Sequence, residues 1–198
     1  MSEHSSILFW KSMTITFSLA LIVTIGVSFY SPWRKPLFEN SDFEMGNLTH
    51  WTPHDLAFVD QPIFHDNPIY RGSTPARPQG QYWIGSFEDR NSPGKPSGHS
   101  QGDLPMGELV SDEFEITGDV ITFLIGGGDG SGQTGVALLV DGEEVLFEPG
   151  RGALIQSEKM LRVAWNVSRW KGYKAKIIIR DQSQGSWGHI NADDFLYD

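Results

Sequence analysis

Trp187, His189 and Asn191 stand two residues apart near the C-terminal end of the chain, and the adjacent carboxylates Asp193 and Asp194 follow them. Alternate residues of a strand project to one face, so this spacing would set an indole, an imidazole and an amide in a row. An indole can stack on the apolar face of a sugar ring, and the imidazole and amide can exchange hydrogen bonds with its hydroxyls. The alternative is a structural cluster packed against a bare stretch of backbone. Such a stretch exists at Gly126, Gly127 and Gly128, directly after the apolar run 120–125, where a ligand or a neighbouring side chain can approach closely. Arg162 lies in an alternating segment and can fork onto a pair of sugar hydroxyls or onto a carboxylate of the domain itself.

Adjacent carboxylates on a strand point to opposite faces, which disfavours Asp193 and Asp194 as a general acid and base. Hard oxygen ligands suit Ca²⁺ better, and Glu44, near the first strand, would meet Asp194 in the last strand if the terminal strands are neighbours. The competing reading is a carboxylate exposed at a strand end. The expected sugar-binding set is therefore Gly127, Gly128, Arg162, Trp187, His189 and Asn191, and the expected metal pair is Glu44 with Asp194. No zinc spacing, P-loop, nucleophile elbow or EF-hand pattern occurs, and the chain is not expected to be an enzyme.

The elements that must hold these residues read as strands. Phe114 and Ile116 alternate with acidic residues, residues 120–125 form a buried-type run, and residues 161–167 alternate again. Asp141 and Gly142 separate two apolar segments and favour a tight hairpin, because both tolerate positive φ. Residues 173–179 and 190–197 complete the set. Several short strands with turn chemistry between them predict an all-β chain, an antiparallel β-sandwich of jelly-roll form. Residues 60–107 show little periodicity and predict long loops at one end of the sandwich, where Tyr70, Tyr82 and Trp83 could either stack on a sugar or cover the core edge.

The N-terminal part is different. Residues 12–33 are 22 residues without a charge, and as a helix they would reach roughly 30 Å, enough to cross a bilayer. A cleaved signal peptide and a buried core helix are the rival readings; the length and the aromatic pair Phe29 and Tyr30 after the small residues favour an uncleaved signal-anchor. The division that results is a head at 1–11, an anchor at 12–33, a stalk at 34–37 and a sandwich domain at 38–198. A short head before a large folded domain places that domain outside the cytoplasm. The net charge of −10 opposes nucleic acid as a partner, and the absence of cysteine leaves the fold without disulfides.

The residues Phe43, Glu44, Met45, Gly46, Asn47, Leu48 and Trp51 resemble the opening of the carbohydrate-binding modules attached to levanases and related fructan-degrading enzymes. The likeness continues through Glu108, Leu109, Ser111 and Phe114, through Ile121, Phe123, Ile125 and the three glycines, and through Val140, Asp141 and Gly142. It ends in Arg162, Trp165, Gly172 and the terminal Trp187, Gly188, His189, Ile190, Asn191, Asp193 and Asp194. The resemblance implies a non-catalytic β-sandwich that binds the terminal fructose of fructans. Asn166 stands where many relatives carry Asp, a neutral amide in place of a charged acceptor. The expectation is thus a single-pass, membrane-anchored, extracytoplasmic module with carbohydrate as its partner. The alternative is a structural or protein-interaction sandwich of the cell envelope.

Overall fold

The computed structural model describes residues 35–198, and the expected anchor at 12–33 lies outside them. Among the described residues no helix is long and apolar enough to cross a membrane. Twelve strands run in chain order: β1 Lys35–Pro36, β2 Trp51–Asp55, β3 Ile63–Phe64, β4 Tyr82–Gly85, β5 Gly107–Ser111, β6 Phe114–Glu115, β7 Val120–Gly127, β8 Thr134–Val140, β9 Glu143–Pro149, β10 Leu161–Asn166, β11 Lys174–Asp181 and β12 Ile190–Tyr197. They form two antiparallel sheets. The first has the order β10-β7-β12-β4-β3, with β1 on β12; the second has the order β2-β5-β11-β8-β9, with β6 on β11. The quartets β4-β12-β7-β10 and β5-β11-β8-β9 follow the strand order of a jelly roll, as the spacing of strands and turns predicts.

Period-two alternation decides what each strand contributes. Ile121, Phe123 and Ile125 of β7 and Ile177 and Ile179 of β11 are buried between the sheets with Phe43, Trp51, Leu109, Trp165 and Phe195. The opposite face of β7 and β4 carries Leu124 and Trp83, which pack with Ile63, Ala76 and Met160 in a second, smaller core under the long loops. Trp83 is therefore an interior residue of the loop region. At the β8–β9 hairpin, Asp141 (φ 50°) and Gly142 (φ 85°) both adopt left-handed conformations, the pairing that suits a two-residue turn between twisted strands.

Two sequence expectations need correction. Lys35 and Pro36, assigned to a stalk, pair with Tyr197 and Leu196 of β12; proline is accommodated because this is a short edge strand. The unperiodic stretch contains β4, whose four residues are too few to show a period. Glu44 sits in the turns between β1 and β2.

Candidate functional site

The site is built on β12 and the loops beside it. Asn191 and Asp193 lie on the face of β12 turned away from the main core, as Ala192 and Ile190 occupy the other. His189 ends the loop that enters β12, and its ring is pinned from both sides: Nδ1 is 2.7 Å from Asp103 Oδ1 and Nε2 is 3.1 Å from Glu158 Oε2. Asn191 Nδ2 donates to the same Glu158 Oε2 at 3.1 Å and to the Glu158 carbonyl at 3.1 Å. The other oxygen of Glu158 accepts from Arg71 Nη2 at 2.8 Å and from Ser73 Oγ at 3.3 Å. Arg71 closes the 3₁₀ turn Asn67–Arg71 and also donates through Nε and Nη2 to Glu88 Oε1, at 3.0 and 2.8 Å. Asn67 Nδ2 completes the chain by donating to Glu88 Oε2 at 2.5 Å.

Glu88, Glu158 and His189 are all buried, so this is a charged network held out of water. Burial works against the imidazolium, but the carboxylates of Asp103 and Glu158 outweigh it and lift His189 to about 9. Burial likewise opposes the Glu158 carboxylate, yet His189 and Arg71 bring it down to about 2. With both ring nitrogens facing carboxylates, His189 is a double donor at neutral pH. In Glu88 burial prevails over Arg71 and Asn67, and its carboxyl is raised.

Rings stand over this network. The Trp187 indole stacks on His189 with centroids 5.6 Å apart at 29°, Phe87 meets the imidazole edge-on at 5.1 Å, and the Arg71 guanidinium lies 4.4 Å above Phe87. Trp187, Phe87, Arg71 and Asp103 are partly exposed, so they form the rim and His189, Glu158 and Asn191 the floor. The row expected along one strand is real as a group but has another origin. β12 begins only at Ile190, and Trp187 (φ 62°) reaches His189 from a turn.

The remaining expected residues sit deeper or elsewhere. A side chain at Gly127 would approach within 2.7 Å of the His189 carbonyl, and one at Gly128 within 2.5 Å of Gly150 Cα. The glycines therefore let backbone pack on backbone behind the network and offer no open surface. Arg162 donates to the Asp194 carbonyl at 3.0 Å and pairs with its carboxylate, so it serves the fold rather than joining the Trp187 group.

Asp193 and Asp194 do not alternate. A register shift in the β12–β7 ladder follows Asp193, Asp194 adopts φ 58°, and both side chains are buried. Glu44 accepts from the Gln81 and Tyr82 N–H groups at 2.9 Å each. Asp193 Oδ2 accepts from Gln79 N at 2.7 Å, whereas Oδ1 is buried without a hydrogen-bond partner. Burial, reinforced by the charges of Asp194 and Glu44, pushes the Asp193 carboxyl well up. Glu44 and Asp194 alone fall short of the about six to eight oxygens that Ca²⁺ takes, and among the described residues no three His, Asp or Glu side chains are grouped to hold a metal. The orphaned Asp193 oxygen is the feature that fits a cation.

A second buried carboxyl lies near the network. Asp181 Oδ2 accepts from Ser86 Oγ at 2.5 Å, and Ser86 Oγ in turn accepts from Ile190 N at 2.9 Å. Burial raises Asp181 to about 7 against the pull of Ser86, Ser183 and His189. Opposite it in the β11–β8 register stands Thr134, whose buried hydroxyl has no partner. Arg71, Glu88, Asp103, Glu158 and Asp181 carry no local pattern in the sequence, and only the terminal aromatic and polar segment pointed here.

No family model matches the chain. Over 96 residues, 48% of its length, it is 36% identical to a protein of Aspergillus rugulosus that bears the provisional name glycosyl hydrolase ecdE, and the match spans 13% of that protein. Solved structures of similar fold include carbohydrate-binding modules. One is TmCBM61, solved in complex with β-1,4-galactotriose (18% identity, 82% of this chain and 97% of that one, TM-score 0.49). The similar structures also include a cyclase from Fischerella sp. TAU (14% identity, 82% and 94%, TM-score 0.49). The expectation that the chain is not an enzyme is corrected by the first of these names: a segment 36% identical to this chain over 96 residues belongs to a protein named for glycosyl hydrolysis.

Proposed function

We propose that the sandwich binds carbohydrate at the end of β12, with Trp187 and Phe87 as stacking surfaces and Arg71 and Asp103 as the polar groups that orient hydroxyls. The observation that carries this reading is the buried network of Arg71, Glu88, Glu158 and His189, which fixes the rings and leaves them partly open to solvent. Rigid aromatic planes with charged hydrogen-bonding groups beside them are the chemistry a sugar ring needs. Gly127, Gly128, His189 and Asn191 support that surface from behind, and Arg162 acts on Asp194. The terminal fructose of a fructan is the ligand that the resemblance favours. The proposal extends to an anchor at 12–33, a sandwich domain that takes in residues 35–37 as well as 38–198 and is displayed outside the cytoplasm, and a stabilising Ca²⁺ held by Glu44 and Asp194 with backbone or water oxygens completing its shell.

A glycan array that includes levan and inulin oligosaccharides tests the reading. Trp187→Ala and Phe87→Ala should each weaken the best ligand by about tenfold or more, about 1.4 kcal/mol, at unchanged melting temperature. An array on which the folded protein retains no glycan would refute it.

A further inference from the structure

A second feature lies at the other end of the sandwich. Lys174 and Lys176 are two apart on β11, and Ala175 between them is buried in the core, so both ammonium groups leave from the outer face of the second sheet. Neither ammonium group has a hydrogen bond or an ion pair among the described residues. Arg71, Arg162, Lys171 and Arg180, by contrast, all have carboxylate partners, and what sets Lys174 and Lys176 apart is that they border one depression together. The two lysines border a depression of about 340 Å³, with Leu139 opposite Lys176 in the β8 register and Glu113 and Asp141 also in its lining. That volume falls at the small end of ligand sites, the scale of one or two sugar rings.

The lining makes a mixed demand. Two unpaired cations, about 7 Å apart along a strand, call for an anion that can lie between them. As carboxylates, Glu113 and Asp141 accept hydrogen bonds and donate none, so they call for hydroxyl donors and repel a dense polyanion such as nucleic acid. Leu139 supplies an apolar patch. A sugar ring that carries a carboxylate meets all three conditions: its carboxylate faces the lysines, its hydroxyls donate to Glu113 and Asp141, and its C–H face lies on Leu139. We propose that this depression is a second ligand site, specific for an acidic monosaccharide unit of the uronic acid class. It is separate from the Trp187 site and stands whether or not that site binds sugar.

The test uses the full chain and two probes, methyl glucuronide and methyl glucoside, titrated by calorimetry at low and at high salt. The glucuronide should bind at least tenfold more tightly than the glucoside and should weaken as salt rises. Lys174→Ala with Lys176→Ala should reduce glucuronide binding about tenfold or more and remove the salt dependence, while Trp187→Ala leaves it unchanged. If the alanine pair lowers the melting temperature, Lys174→Gln with Lys176→Gln, which keeps most of each stem, is read in its place. Equal affinity for both probes, or a glutamine pair that binds as the parent does, overturns the proposal. So does glucuronide binding that is lost in Trp187→Ala, because the acidic sugar would then sit at the opposite end.

Discussion

Replacing Asp181 by Asn tests the account of the buried polar centre behind His189. The carboxyl is 1% exposed and is raised from 3.8 to about 7, with burial as the leading cause. A raised folded-state value means that the native protein keeps a proton which the unfolded chain has released. Stability is then fullest below pH about 4 and falls as pH rises through 7, by about 1.4 kcal/mol per unit between those limits. Across a window of about three units the ionised carboxylate costs the fold on the order of 4 kcal/mol. Asparagine has the shape of the protonated acid: its Oδ1 can still accept from Ser86 Oγ, and its Nδ2 can turn toward the unpartnered Thr134 hydroxyl across the β11–β8 register. The advantage of Asp181→Asn over the parent should therefore grow from pH 5 to pH 7 and level off above that. Urea unfolding followed by tryptophan fluorescence at unit pH steps measures it. A difference that is flat with pH, or that shrinks as pH rises, would show that Asp181 is ionised in the native state and that its setting is not desolvating.

His189 behaves with related sign. Its folded value near 9 exceeds the ordinary 6.5, so its contribution is complete below pH 6.5 and is lost as pH rises through 9; ¹⁵N-detected titration of the ring should place the midpoint there. His189→Gln leaves buried Glu158 short of a cationic partner and should lower stability at pH 7 by about 3 kcal/mol, measured by denaturant unfolding. Calcium at about 100 times its dissociation constant should add about 2.7 kcal/mol, or roughly 5–10 °C in melting temperature against EDTA, and Glu44→Gln or Asp194→Asn should abolish the difference. Identical melting curves in the two buffers would remove the metal. Gly128→Ala and Gly142→Ala separate crowding from backbone conformation. Both glycines have positive φ, but a Cβ at 142 meets nothing whereas one at 128 lies 2.5 Å from Gly150 Cα. The first should lower stability several-fold more than the second, which should cost about 1 kcal/mol by thermal melting.

Much of the sandwich was legible because its strands obey the period of two and one turn declares itself. In the sequence alone, residues 120–125 and 161–167 and the pair Asp141 and Gly142 indicate β7, β10 and the β8–β9 hairpin. The candidate site was legible only in part. Trp187, His189 and Asn191 are close in sequence and could be found together, but their partners Arg71, Glu88, Asp103 and Glu158 come from four separate stretches that only the closed fold brings to one place. Alternation also misleads where the ladder slips. The register shift beyond Asp193 buries two consecutive carboxylates, an outcome that a uniform strand excludes. The glycines show a further limit, since a bare backbone fits a close ligand and a close neighbour equally well, and Gly128 meets Gly150.

β12 also sets a direction for the molecule. Its first residue adjoins His189 and the Trp187 turn, and its last residues pair with Lys35 and Pro36. Eight extended residues span roughly 25 Å, so the entry of the chain into the domain and the aromatic rim lie at opposite ends of one strand. Whatever holds the protein at residue 35 would thus hold it by its base. The rim would face outward across the height of the sandwich, clear of the attachment point, while the lysine-lined depression beside Asp141 would stand closer to it. A long polymer could meet the rim end without passing the point where the chain enters the domain.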